Sequence, residues 1–273
     1  MVVSPESNYL LSQITAWPGE CQAEPWHGRN RRMPDTTDPS SLPITAESIG
    51  AKVYQRLRTD MMRSRFRPGE KLKLRDLAQE MGVSATPVRD ALARLVSEGA
   101  LEQFDHRSVR VPVLSDERFR EIAELRGELE GKAASRAAER ATPADAERLA
   151  AIHARMTQAR LDGEGVAMLV ENERFHMEIC ALANMPVLAR IIEGLWLQCG
   201  PLVAGLREVR FLHHPDAHPH NDIIRAMRTR DGALARLAIQ RDISVYAEVL
   251  LRRLPEINVG ALPRSRTALD AAE

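Results

Sequence analysis

The sequence predicts a mainly α protein, an N-terminal winged helix-turn-helix followed by an all-α antiparallel helical bundle. Three observations predict it. Aromatic residues are only 4% of the 273-residue chain, so its cores must rest on Leu, Ile, Val, Met and Ala. Beyond residue 115 Ala, Leu, Arg and Glu dominate, residue types that lose little side-chain entropy in a helix. Residues 100–113 alone switch to alternation, with Val109, Val111 and Val113 separated by Arg110 and Pro112, as a small hairpin requires.

The elements follow in order. Residues 1–43 mix Pro, Ser, Gly, Asn and Asp without periodicity and read as a flexible tail, with Met33 as an alternative start. Ile49, Val53, Leu57, Met61 and Met62 recur at helical spacing and predict a helix to about Arg65. After the Pro68-Gly69 break, a short helix spans Leu74 to Met81 and stops at Gly82. Ser84 is placed to cap a third helix, Pro87 is tolerated in its first turn, and Val88, Leu92 and Leu95 form its buried stripe up to Gly99. The winged module is thus expected over 44–113 and the helical domain over 114–254, with 255–273 a frayed tail.

Within the helical domain, a helix is predicted from about Asp116 to Arg140. Thr142-Pro143-Ala144-Asp145 is an N-cap with proline at the first helical position. Gly163 and Gly165 precede a helix over 166–183, and Pro186 opens another that Pro201 is expected to kink. The loop 213–219 leads to a further helix, and Asp231-Gly232 turns the chain into a last one ending near Leu254.

Charge is balanced overall, 38 Lys and Arg against 38 Asp and Glu, but unevenly placed. Residues 44–113 hold thirteen basic against nine acidic groups, and residues 114–254 hold twenty against twenty-one. The excess points to the first segment as the one that meets a polyanion. Cys21, Cys180 and Cys199 show neither metal-ligand spacing nor a disulfide framework. No apolar run of about 18 residues and no secretory leader is evident, so a cytoplasmic protein without a membrane partner is expected.

Two short helices around a glycine turn let the second project its N-terminal end into a major groove. That end carries Ser84, Thr86 and Arg89, small polar and guanidinium groups suited to phosphates and base edges. Arg75 opens the preceding helix, and Arg107 stands at the hairpin tip. The run Pro68-Gly69, Leu77-Ala78, Gly82-Val-Ser-Ala-Thr-Pro-Val-Arg-Asp-Ala-Leu92 and Glu98-Gly99 resembles the DNA-binding domain of the GntR family of regulators. The resemblance covers about Ala46 to Val113 and implies that Arg75, Thr86 and Arg89 contact DNA. Two departures stand out: Ala85 occupies a position where arginine is usual, and the Asp105-His106-Arg107-Ser108 tip lacks the usual glycine.

Residues 114–254 resemble the all-helical FCD effector domain of the FadR subfamily, through Glu124-Leu-Arg-Gly-Glu-Leu-Glu130, Asn172-Glu-Arg-Phe-His176 and His220-Asn-Asp-Ile-Ile-Arg-Ala-Met227. From spacing alone, Asn172 and His176 share a helix face at i,i+4. His220 lies eleven residues before Asp231 and Asp242 eleven after, so the two face each other at ~16 Å from the turn, at 1.5 Å per residue. Many family members hold a divalent metal there with one Asp and three His. The set here is Asn172, His176, His220 and Asp242, which still suits Zn²⁺ or a similar ion. The alternatives are a polar cavity that binds a small ligand directly and a satisfied core histidine. Arg126 matches a family arginine that faces this cavity and could clamp a carboxylate effector; the other reading is a surface salt bridge to Glu130. His213, His214 and His218 are expected to form a solvent-exposed loop cluster.

Together these features imply a homodimeric, ligand-responsive regulator, expected to repress, that binds a double-stranded operator and senses a small organic acid. The alternative is a regulator that has lost metal or ligand sensing. A bundle metalloenzyme is disfavoured, because Glu173-x-x-His176 has no second copy and no nucleophile elbow, P-loop or dinucleotide fingerprint occurs.

Overall fold

The computed structural model describes residues 49–105, 108–206 and 217–259. The expected tail 1–43, Arg107 at the wing tip, and His213 and His214 lie outside these residues. The winged module opens with α1 (Ile49–Met62), which buries Val53, Leu57 and Met61 at i,i+4 spacing. It stops because Ser64 turns left-handed, at φ 53°, and Arg65 returns its N–H to the Asp60 carbonyl. Next come β1 (Lys71–Lys73) and α2 (Leu74–Met81), which ends at the left-handed Gly82, φ 64°. Helix α3 (Ala85–Ser97) buries Val88, Leu92 and Leu95. Strands β2 (Glu102–Asp105) and β3 (Ser108–Arg110) form the hairpin.

The sheet has three strands in the order β1-β3-β2, all antiparallel, with Leu72 opposite Val109 and Gln103 opposite Val109 on the other side. The first strand was not legible as one, because Lys-Leu-Lys is too short to show a period. Val109 and Val111 point inward, but Val113 is 51% exposed, since backbone pairing ends at Val111, which bonds Gly69 and Glu70.

The bundle comprises α4 (Asp116–Arg140), α5 (Pro143–Leu161), α6 (Gly165–Ala183), α7 (Pro186–Cys199), a 3-10 segment (Gly200–Leu206), α8 (Pro219–Thr229) and α9 (Gly232–Asn258). Thr142 makes the expected capping box with Asp145. Asp231 caps α9 through the Leu234 N–H. α4 packs mainly along α9, and α5 along α6.

Four expectations are corrected. Pro201 does not kink α7: the α-helix ends at Cys199 and tightens into the 3-10 segment, as a residue without an N–H favours. Helix α9 continues past Leu254 through Pro255 to Asn258, held by burial of Leu254 and Ile257 and by the Asn258 amide donating to the Leu114 carbonyl (2.9 Å). Ser84 occupies the N-cap position of α3, but its hydroxyl makes no capping bond. His218 is not exposed: it is 5% accessible and caps α8.

One apolar cluster runs from Leu57, Met61 and Leu95 of the winged module into Ala134, Ile192 and Trp196 of the bundle. A second gathers Phe119, Ile122, Met156, Leu169, Leu250 and Leu254. Each fully buried Leu or Ile contributes roughly 1.5–3 kcal/mol against exposure, so both clusters are substantial.

Candidate functional site

The outward face of the winged module carries the DNA candidates. Arg75 near the start of α2, and Ser84, Thr86 and Arg89 at the start of α3, are all exposed. The N-terminus of α3 presents unsatisfied backbone N–H groups and a partial positive charge, which favour a phosphate. The uncapped Ser84 hydroxyl stays available to an external acceptor. Behind this face, Tyr54 of α1 donates to Glu98 (2.8 Å), and the Arg94 guanidinium lies 3.7 Å over the Tyr54 ring, so the C-terminal end of α3 is fixed.

The second site is buried in the bundle. Arg126 and Glu130 stand at i,i+4 on α4, Asn172 and His176 at i,i+4 on α6, and Asp242 and Tyr246 at i,i+4 on α9. A cavity of about 60 Å³ is lined by Arg126, Asn172, His176 and Asp242, joined by Arg160, Tyr246 and the apolar Phe119, Met168 and Leu250. His220 lies immediately behind Asp242, with Nε2 3.6 Å from Oδ1. The sequence spacing around Asp231 therefore does bring these two residues face to face.

Glu130 organises the buried charges. It accepts from Arg126 Nε (2.8 Å) and Trp196 Nε1 (2.9 Å) through one oxygen, and meets His176 Nδ1 (2.7 Å) with the other. Burial would raise its carboxyl, but Arg126 and His176 outweigh that and hold it low. The ion pair offered by Arg126 and Glu130 at i,i+4 is thus made, inside the protein rather than on its surface. Arg126 also stacks over Trp196 at 4.1 Å. Burial opposes the charge on His176, yet Glu130 and Asp242 on either side raise its pKa to about 9. Asp242 is held well below the ordinary carboxylate range despite burial, by His220 and His176.

Three buried atoms here lack hydrogen-bond partners: His176 Nε2, His220 Nε2 and Asp242 Oδ1. His176 Nε2 is 3.2 Å from Asp242 Oδ2, close but not aligned for a bond. One donor atom from each of His176, His220 and Asp242 lies within 4.8 Å of the other two. Orphaned polar atoms in a dry site are costly, and two imidazoles with a carboxylate are the donor set a borderline divalent ion takes.

Sequence reading missed several members. His153 of α5 contacts His220 through their Nδ1 atoms (3.3 Å), and His218 Nε2 meets the Tyr246 hydroxyl (2.9 Å), which also accepts from Arg160 (3.3 Å). Burial first, then the neighbouring His220, pushes His153 down to about 4 and His218 to about 2. Tyr246, four residues after Asp242, and Arg160, seven after His153, were detectable by helical spacing once the first residue of each pair was suspected. Nothing local marks His153 itself.

Among the described residues no helix is long and apolar enough to cross a membrane. Comparison with known proteins now gives the family. Residues 49–111 match the gntR family of bacterial regulatory proteins, and residues 121–244 match the FCD domain. The HTH-type transcriptional regulator McbR of Escherichia coli (strain K12) is 34% identical over 154 residues, covering 56% of this chain and 70% of that protein. The Nta operon transcriptional regulator of Aminobacter aminovorans is 32% identical over 132 residues, covering 48% of this chain and 61% of that protein. The solved structure of E. coli McbR/YncC superposes with a TM-score of 0.68 at 29% identity, over 76% of this chain and 99% of that one. These relatives are DNA-binding regulators rather than enzymes, and the chain belongs to the gntR family of bacterial transcriptional regulators, with an FCD domain behind its winged helix.

Proposed function

We propose that the chain is an effector-responsive repressor, a cytoplasmic homodimer whose two winged helices read a palindromic double-stranded operator. In this reading residues 44–113 bind DNA through Arg75, Ser84, Thr86, Arg89 and Arg107, while residues 114–254 sense a small organic acid and carry the dimer contact. The observation that carries the sensing half is the cavity lined by Arg126, Arg160 and Tyr246 together with the apolar Phe119, Met168 and Leu250. Cations and a hydroxyl donor beside an apolar wall suit a carboxylate with a short carbon skeleton. At about 60 Å³, the space is less than half of the ~150 Å³ that holds benzene in an engineered cavity. The fitting acids therefore have few heavy atoms.

His176, His220 and Asp242 would hold a divalent ion of the Zn²⁺ class, with Asn172 completing the cavity side. Such an ion supplies a Lewis-acidic anchor for the effector carboxylate. With Nδ1–H donated to Glu130, an ion would displace the proton from His176 Nε2 and take that nitrogen as its ligand atom, in the carboxylate–histidine arrangement of metal sites. An amide at 172 donates more weakly than a carboxylate, so affinity for the ion is modest.

The test uses DNA upstream of the protein's own gene and of its neighbours in a gel-shift series. Sequence-selective binding that weakens steeply with salt is expected, and its absence at every such promoter sinks the regulator reading. Metal content of the purified protein and thermal shifts with two- to six-carbon carboxylates test the sensing half. A protein with neither metal nor shift is a regulator without sensing.

A further inference from the structure

We propose that His153, His218 and His220 form a second seat for a Zn²⁺-class divalent cation, one that shares His220 with the first seat and competes with it for a single ion. The three rings come from the middle of α5 and the N-terminal end of α8 and are all buried. One ring nitrogen of each lies within 4.8 Å of the other two. The His153 and His220 Nδ1 atoms are 3.3 Å apart. Two nitrogens bound tetrahedrally at about 2.0–2.1 Å from zinc stand about 3.3–3.4 Å from each other, so this spacing already matches that of ligands.

The rest of the cluster supports the assignment. As the N-cap of α8, His218 sits two residues before His220 and accepts the His220 backbone N–H at Nδ1 (3.2 Å); an ion at that lone pair would take the bond over, while Nε2 stays on the Tyr246 hydroxyl (2.9 Å). Phe175 stacks on His220 at 3.8 Å, nearly parallel, and fixes the ring plane. With Nδ1 turned to the second seat, His220 directs Nε2 toward Asp242 Oδ1, 3.6 Å away. A carboxylate thus stands on the far side of the ring, beyond hydrogen-bond length but within the small ring shift that would let it orient a ligating imidazole.

Competition follows from the chemistry of one ring. A neutral imidazole has one lone-pair nitrogen and one N–H. His220 therefore serves the second seat through Nδ1 or the first through Nε2, but not both at once. The second seat stands on geometry alone; only the competition rests on the first-seat reading.

Cobalt titration of the full chain, followed by visible absorption and by metal content after dialysis, tests this. The His176→Gln protein, which lacks the first seat, is expected to retain about one Co²⁺ per chain with a tetrahedral absorption band. Adding His153→Gln should cut retained metal at least tenfold. Folded His176→Gln protein without cobalt overturns the second seat, as does a double variant that keeps its ion. If His176→Gln does not fold, the His176→Asn protein replaces it, with and without His153→Gln and with the same two outcomes. Two ions bound together in the wild-type chain would overturn the competition.

Discussion

Glu130 ties Arg126 on its own helix to His176 on α6 and Trp196 on α7. Replacing it by Gln keeps the shape but removes the negative charge, leaving two buried cationic groups short of a partner. Breaking such a buried network by removing one member costs about 3–5 kcal/mol. For a chain of this size that lowers the melting temperature by about 6–20 °C, at 2–4 °C per kcal/mol. Circular dichroism melts of Glu130→Gln check it, and a melt within 2 °C of wild type would contradict the account. The sequence offered Glu130 as a surface partner of Arg126, because i,i+4 spacing does not say which face of α4 is inward. Its burial depends on α6 and α7 closing over it, and no local pattern encodes that. His220 and Asp242 were easier, since one tight turn separates them and counting along two antiparallel helices suffices. His153 is 67 residues from its partner His220, and only the packing of α5 on α8 joins them.

Helix α3 illustrates how far an element can be read from sequence and where reading stops. Ser84, the Val88-Leu92-Leu95 stripe and Gly99 mark its position and inward face, and its exposed face follows by subtraction. Ala85, half-buried at the first turn, lacks the side chain that would reach a phosphate or a guanine. Ala85→Arg should therefore tighten operator binding and steepen its salt dependence by about one ion, since each phosphate contact contributes a slope near −0.9. Arg89→Ala should weaken binding, by about 1–3 kcal/mol where Arg89 reads a base. Equilibrium binding at several salt concentrations measures both. The C-terminal end of α3 gives a pH prediction. Burial first, then the hydrogen bond to Glu98, raises the Tyr54 hydroxyl to about 12. A raised folded value favours the neutral form, so this stabilisation is complete below pH 10 and is lost as pH rises through 12. Denaturant melts of Tyr54→Phe between pH 9 and 12 should show a shallower alkaline decline than wild type.

At the scale of the whole molecule, α7 connects the two sites. Trp196 touches Glu130 beside the cavity, and Gln198, two residues on, donates to the Glu98 carbonyl at the end of α3 (3.4 Å). The next turn reaches the residues just after α1, where the Ser64 hydroxyl donates to the Gly200 carbonyl (2.6 Å) in a buried contact. Gly200 has ordinary right-handed backbone, so its lack of a side chain serves proximity rather than conformation. A Cβ there would fall 2.6 Å from the Met61 carbonyl oxygen and 3.0 Å from the Met62 Cα, both backbone atoms that cannot swing away. Gly200→Ala must push α1 off the 3-10 segment, and overpacking of this kind costs about 1–3 kcal/mol. The strain is local, so hydrogen exchange in the last turn of α1 and the turn after it, residues 59–65, should accelerate by about 5- to 150-fold, at 1.4 kcal/mol per tenfold. Exchange in α6 and the first half of α9 should stay within twofold. If α1 is the route by which the cavity reaches the reading head, the same variant keeps its thermal response to carboxylates but loses their effect on operator affinity. Uniform acceleration throughout the bundle would mean that Gly200 supports the fold as a whole and that this junction is no coupling element.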